Sequence, residues 1–239
     1  MEVEAKLLAG SRSVLDAIAR RRRLGSYRLA PSSNQRLETF YLDTSRRDLL
    51  RRGIAVRVRR VGEACELTAK LPGEVDGDVH RRPESTVRLE RMPPFPFQPS
   101  GSALARRIRG FSGQRALSPF LVTRIHRRAL SVHPGRRKAP IAEIDLDAVE
   151  LALPKGTKRG RKRRGRFFEV EVELKGGSEE DLGRIVEALR ERHRLRASKQ
   201  SKLERGLRWA GLAPRGASRP KSKKVTVSPF GERRARSAG

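Results

Sequence analysis

The sequence predicts a mainly β protein, an antiparallel barrel or sandwich with accessory helices. Two observations lead there. Seven strand-like runs follow one another behind an opening strand and helix, each bounded by Gly, Pro or Asp. Within most of them charged and apolar residues alternate with period two, so each strand has one charged and one apolar face.

The opening MEVEAKLLA sets Glu2, Glu4 and Lys6 against Val3, Ala5 and Leu7. SRSVLDAIARRRRLG then reads as an amphipathic helix, with a serine start, Val14, Leu15, Ile18 and Leu24 at helical spacing, bases in its last turn and Gly25 as a stop. The strand-like runs are LETFYLDT, GIAVRVRR, CELTAKL, STVRLE, FLVTRIHRRAL, PIAEIDLDAVEL and RFFEVEVELK. SEEDLGRIVEALRERH is a second helix, capped by Ser178 with acids in its first turn. SKQSKLERGLRWAGL is a short strand or turn entering a third. From residue 213 the chain is rich in Pro, Gly, Ser and bases, which predicts a disordered tail over 213–239 behind a folded domain at 1–212.

Composition narrows the partners. Only 36% of 239 residues are apolar, enough for a modest core. The formal charge of +29 creates a positive field that favours polyanions. Residues 155–166 carry eight bases and no acid, and 214–239 a net +7; taking both from +29 leaves +14 on the rest. A single cysteine, Cys65 in ACELTAK, excludes an internal disulfide and reads as a small buried hydrophobe. No apolar run reaches membrane-span length and no signal peptide opens the chain, so the expectation is a cytoplasmic protein without a membrane partner.

The polar faces are sorted by sign. Arg57 and Arg59 share a face of IAVRVRR; Glu66, Thr68 and Lys70 share one of CELTAK; Arg88 and Glu90 share one of VRLE. AEIDLD presents Glu143, Asp145 and Asp147, and FEVEVELK presents Glu169, Glu171, Glu173 and Lys175. A closed barrel with a charged lumen would gather divalent cations on the acidic staves and an anion between the basic ones, leaving the apolar faces outside under helices. An open sheet with one wet face is the simpler alternative. Paired carboxylates suit Mg²⁺ or Mn²⁺, and guanidinium forks match phosphate, so together they specify a polyphosphate ligand.

These segments, in this order, resemble the CYTH or triphosphate tunnel metalloenzyme family. Glu2-Val3-Glu4-Ala5-Lys6 is similar to its acid-x-acid-x-lysine signature, and GDVHRRPE at 77–84 resembles the inorganic triphosphatase branch. The resemblance implies an eight-stranded antiparallel β-barrel tunnel with a charged lumen and accessory helices. It implies that Glu2, Glu4, Glu169 and Glu171 bind Mg²⁺ or Mn²⁺, supported by Glu143 and Asp147, with Glu90 and Glu173 as further members. Lys6, Arg57, Arg59, Lys70, Arg127 and Lys202 would grip the triphosphate, and Lys6, Glu4 and Glu171 would be the catalytic set. The implied activity is metal-dependent hydrolysis of inorganic triphosphate to pyrophosphate and phosphate. The alternatives are a non-catalytic polyphosphate-binding module, a thiamine triphosphatase or a class IV adenylate cyclase. Val149 replaces a glycine that family members often carry there, a departure expected to alter a turn.

Other chemistries find no support. No GxxxxGK[ST] occurs, and His80, His126, His133 and His193 are too scattered for a zinc set. Ser11, Ser13 and Ser178 read as helix-cap residues. Arg20–Arg23 and KRGRKRRGR could bind nucleic acid non-specifically through phosphates, and a homodimer is the working expectation for assembly.

Overall fold

The structure, a computed structural model, describes residues 2–77, 79–135, 139–157 and 165–213. The expected tail beyond 213 and the tip of the basic hairpin at 158–164 lie outside the described residues. One antiparallel sheet holds β1 (Glu2–Ala9), β2 (Arg23–Leu24), β3 (Tyr27–Asp43), β4 (Ala55–Val61), β5 (Ala64–Lys70), β6 (Glu74–Asp76), β7 (Val79–Arg82), β8 (Glu84–Leu89), β9 (Ser118–Pro134), β10 (Ala142–Ala152), β11 (Gly165–Leu174) and β12 (Arg196–Ala197). The helices are α1 (Arg12–Ala19), α2 (Ala103–Ser112), α3 (Glu179–His193) and α4 (Lys202–Ala210). No helix among the described residues is long and apolar enough to cross a membrane.

The class is the expected one, with twelve strands among the described residues where eight were expected. The main path runs β6-β7-β1-β11-β10-β9-β3-β4-β5-β8, so the ladder leaves β8 at one end and β6 and β7 at the other. β7 and β8 are consecutive in the chain and separated only by Pro83, which has no N–H to continue a ladder. One kinked stave thus pairs with β1 through β7 and with β5 through β8, curling the sheet round a lumen. With the short β2, β6 and β12 set aside, eight staves surround it.

The apolar faces do turn outward. Ala5 and Leu7 of β1, Ile144 and Leu146 of β10 and Val170 and Val172 of β11 form a core with Leu15 and Ile18 of α1 and Leu182, Ile185 and Leu189 of α3. Val56, Val58 and Leu67 pack against Leu104 and Ile108 of α2 in a second. Cys65 is buried, as expected. The lumen itself is not charged throughout: Leu37, Ile125, Val149 and Leu151 fill one end with an apolar plug that Trp209 of α4 joins. Val149 therefore lies mid-strand, paired with Ile125 and Phe167, and packs the plug where a turn was expected to change.

Local differences have local causes. α1 stops at Ala19, short of the expected run to Gly25, because Arg20–Arg23 crowd like charges and Leu24 is drawn into the core through β2. β3 begins ten residues before the expected LETFYLDT. Its Pro31 is accommodated at a register shift between Pro31 and Ser33, where β4 is not yet alongside. α2 falls in a stretch to which the sequence reading assigns no element, although Ser102 accepts from the Ala105 N–H as its cap. α3 carries the expected Ser178 cap, completed as a capping box by Asp181. Ser11 occupies the cap position of α1 without a side-chain cap bond, and Ser13 lies inside that helix.

α4 approaches β9 closely: a Cβ on Gly206 would meet Leu121 Cδ2 at 2.2 Å, and Leu121 is fully buried. Gly183, exposed within α3, has nothing within 4 Å of the same position. Gly206→Ala should therefore lower stability by about 1–3 kcal/mol through overpacking. Gly183→Ala should raise it by about 0.5–1 kcal/mol through helix propensity. Urea unfolding of the two variants checks both signs.

Candidate active site: a charged lumen

Strand register alone brings the charged side chains together, because directly opposed residues share a face. Arg127 of β9 faces Asp147 of β10, which faces Glu169 of β11. One pleat along, Asp145 faces Glu171, which faces Lys6 of β1; one further, Glu143 faces Glu173, which faces Glu4. On the other wall Arg57 and Arg59 of β4 face Thr68 and Glu66 of β5, and Lys70 faces Glu84 of β8. The cavity between the walls has a volume of about 440 Å³.

The lumen charges are knitted into one network. Lys6 Nζ lies 2.5 Å from Glu4 and 2.7 Å from Glu171. Arg127 donates to both Asp147 oxygens at 2.8 and 2.6 Å and to Glu171 at 3.0 Å, and it also bridges Asp145. Lys202, the first residue of α4, reaches Asp147 at 2.9 Å, Glu171 at 2.8 Å and also Glu169. It is aimed there by a capping box in which Ser201 and Glu204 fix the start of the helix. Lys70 joins Glu2 at 2.7 Å and Glu84 at 2.8 Å. Arg59 has no carboxylate within salt-bridge reach among the described residues; its Nε donates to Thr39 Oγ1 at 3.3 Å.

Of the expected site residues, Glu2, Glu4, Lys6, Arg57, Arg59 and Lys70 line the cavity, as do Arg127, Glu171, Glu173 and Lys202. Asp147 and Glu169 are fully buried behind them. Glu143 stands apart from the lining and accepts a hydrogen bond from Ser32 at 3.1 Å. Glu90 is exposed beyond the end of β8 and joins nothing in the lumen. Glu84 and Arg82 line the cavity and were not expected there; Asp145, expected on the charged face of its strand but not among the site residues, lines it as well. The alternation that places Arg88 on the polar face, followed back through Thr86, leads to Glu84.

Burial and neighbouring charge push these groups in opposite directions. Burial raises Glu169 to about 7 even beside Lys202. It raises Asp145 to about 7 against the pull of Arg127, and Glu2 to about 7 with help from Glu4. Burial would also lift Glu84, but Lys70 and Arg57 hold it near 2. Burial would lift Glu171 too, but Lys202, Lys6 and Arg127 together hold it well below the carboxylate range. Arg59 falls to about 10 through burial and the adjacent Arg57 and Arg127.

The residues fit a divalent cation. Asp147, Glu169 and Glu171 offer carboxylate oxygens within 4.8 Å of one another. Glu169 Oε1 and Asp145 Oδ1 are buried without a hydrogen-bond partner. Such all-oxygen sets suit Mg²⁺ or Mn²⁺.

A raised carboxyl keeps its proton in the folded chain when the unfolded chain, titrating near pH 4, has lost it. Glu2, Asp145 and Glu169 thus subtract stability from the metal-free protein as pH rises from about 4 to 8. His80, His126 and His193, all lowered with burial as the largest cause, act in the opposite direction near pH 6. Metal binding separates the two effects, because it requires the anions. Mn²⁺ affinity should rise at least tenfold from pH 6 to 8, with proton release at pH 6.5. Titration calorimetry in buffers of different ionisation enthalpy measures the protons, and zero release would contradict the raised carboxyls.

The CYTH domain model matches residues 1–207. Among solved structures, a candidate adenylyl cyclase from Hippeastrum, reported to have a dominant triphosphatase activity, superposes with a TM-score of 0.58. It is 17% identical, over 88% of this chain and 96% of that one. A candidate adenylate cyclase from Bacillus halodurans gives a TM-score of 0.56 at 16% identity, over 86% of this chain and 96% of that one. Likeness at these identities concerns the fold alone. No curated protein matches the chain significantly. With the family match spanning the whole curled sheet and its charged lumen, the chain belongs to the CYTH domain family.

Proposed function

We propose that the chain is a metal-dependent inorganic triphosphatase, releasing phosphate and pyrophosphate from tripolyphosphate. The observation that carries this reading is the lining of the cavity. Acids on β1, β10 and β11 stand across it from bases on β4, and its one aromatic residue among the described lining, Tyr41, is itself buried. A nucleotide base or a thiazolium ring would find little to stack on, whereas a bare phosphate chain needs only charge.

Glu2, Glu4, Asp147, Glu169 and Glu171 would hold Mg²⁺ or Mn²⁺. When bound, the metal supplies Lewis-acid neutralisation of phosphate oxygens and a more acidic water. The chain's own part is an exchange of partners. Lys6, Arg127 and Lys202 now neutralise the carboxylates. Phosphate oxygens entering the cavity offer these bases alternative anions, which releases the carboxylates for metal. Arg57 and Arg59, two residues apart on β4 and about 7 Å along the strand, grip successive parts of the chain. Arg59, half-buried and without a carboxylate partner among the described residues, is a cation that an arriving anion would stabilise. The same bases stabilise charge on the transferring phosphoryl group and on departing pyrophosphate.

The test is phosphate and pyrophosphate release from tripolyphosphate, ATP and thiamine triphosphate, each with Mg²⁺, Mn²⁺ or chelator. Tripolyphosphate should be cleaved at least tenfold faster than the other two, and chelator should abolish turnover. Preference for ATP or thiamine triphosphate would overturn the substrate assignment, and tight tripolyphosphate binding without turnover would make the lumen a binding module. Glu171→Gln should lower kcat by about 10²-fold or more, whereas Arg57→Ala should act mainly on KM.

A further inference from the structure

A second basic feature lies on the outside of the barrel, along the edge of α1, where Ala148 and Phe168 are only partly buried against the core beneath that helix. Outward-facing residues of five adjacent staves form a row across the strands: Arg60 of β4, Glu38 of β3, Arg124 of β9, Glu150 of β10 and Arg166 of β11, each directly opposite the next. Glu38 bridges Arg60 at 2.6 Å and Arg124 at 3.0 Å, and Glu150 pairs with Arg166. One pleat away, about 7 Å along the strands, runs a second row: Arg36, His126, Ala148 and Phe168. Between His126 and Phe168 the small Ala148 leaves a depression, and Arg12 of α1 closes its far side, 3.4 Å from His126 Nδ1. The furrow encloses about 720 Å³ and crosses the five staves over about 19 Å.

Its chemistry is two-sided. The walls hold five arginines, and among the described residues no carboxylate forms a salt bridge with Arg12 or Arg36. The floor is His126, Ala148 and Phe168. Burial and the guanidiniums of Arg12, Arg128 and Arg36 hold His126 below its ordinary range, so at neutral pH it presents an uncharged ring. Its other nitrogen, Nε2, is hydrogen-bonded to Asn34 Oδ1 at 2.8 Å, which fixes the ring plane.

We propose that this furrow binds single-stranded nucleic acid, with phosphates along the arginine row and bases lying on the His126–Ala148–Phe168 floor. Guanidinium forks match phosphate, and Glu38 pre-orders two of them. A floor lined by two rings suits bases. Inorganic polyphosphate, polar throughout, gains nothing from that floor, so the pairing of rings with arginines favours the oligonucleotide.

The test is fluorescence anisotropy with a labelled 12-nucleotide oligouridylate and a salt series. The furrow variant is Arg12→Ala/Arg36→Ala/Arg166→Ala, which leaves Glu38 bridged by Arg60 and Arg124. A charge-matched control is Arg106→Ala/Arg107→Ala/Arg190→Ala on α2 and α3. The furrow variant should bind at least tenfold more weakly, with its log–log salt slope reduced by about 2, and the control should lose less than threefold. Both should keep wild-type thermal unfolding and tripolyphosphate hydrolysis. Equal losses in the two variants would overturn the proposal, because net charge alone would then explain binding. Competition by polyphosphate of the same charge should require at least a tenfold higher concentration; competition at equal concentration would overturn the role of the floor.

Discussion

The fold depends on a mutual neutralisation inside the barrel. Glu4, Lys6, Asp147, Glu169, Glu171 and Lys202 are all nine-tenths or more buried. Any one of them without its partners would face a desolvation cost of several kcal/mol. Each acid therefore touches a base, and the bases Lys6, Arg127 and Lys202 each touch two or more acids. Neutrality is met across strands rather than along them. β1, β9, β10 and β11 must all be in register, and α4 must deliver Lys202, before the lumen is electrically tolerable. The helices contribute from outside by clamping the staves through the apolar cores.

The same arrangement relates structure to chemistry. The ion pairs of the lumen use the atoms that a phosphate chain and a divalent cation would use. On the proposed function, occupancy would replace internal partners by external ones at the same atoms. Glu2, Asp145 and Glu169, raised toward neutrality by burial, mark places where the internal balance is incomplete.

Much of this was legible in the sequence because it is a period-two pattern. Glu2-Glu4-Lys6, Glu143-Asp145-Asp147 and Glu169-Glu171-Glu173 announce polar faces residue by residue, and the lumen gathers most of them. Glu143 departs because it sits near the rim, where Ser32 offers a hydrogen bond. Glu84 was missed because Pro83 interrupts the alternation just before it. Asp145 lies on the face that alternation assigns it, and its place in the site follows from its pairing with Arg127 across the strands. The apolar plug escaped notice because Leu37, Ile125 and Val149 continue the same strand faces that carry charge elsewhere; alternation assigns a face but not a height along the barrel. α2 was obscured by Arg106, Arg107 and Arg109, although Ser102, Leu104, Ile108 and Gly113 outline a capped amphipathic turn.

The opposition of faces on each stave has a consequence for how such a protein can change. In β1, Ala5 and Leu7 belong to the packing against α1 and α3, while Glu4 and Lys6 belong to the lumen. Two vocabularies are interleaved in one strand, letter by letter, and one can be rewritten while the other is left intact. Ligand preference can drift through compensated exchanges of acids and bases across neighbouring staves without disturbing the outer packing. A designer could likewise randomise the inward positions in matched pairs and expect the scaffold to survive.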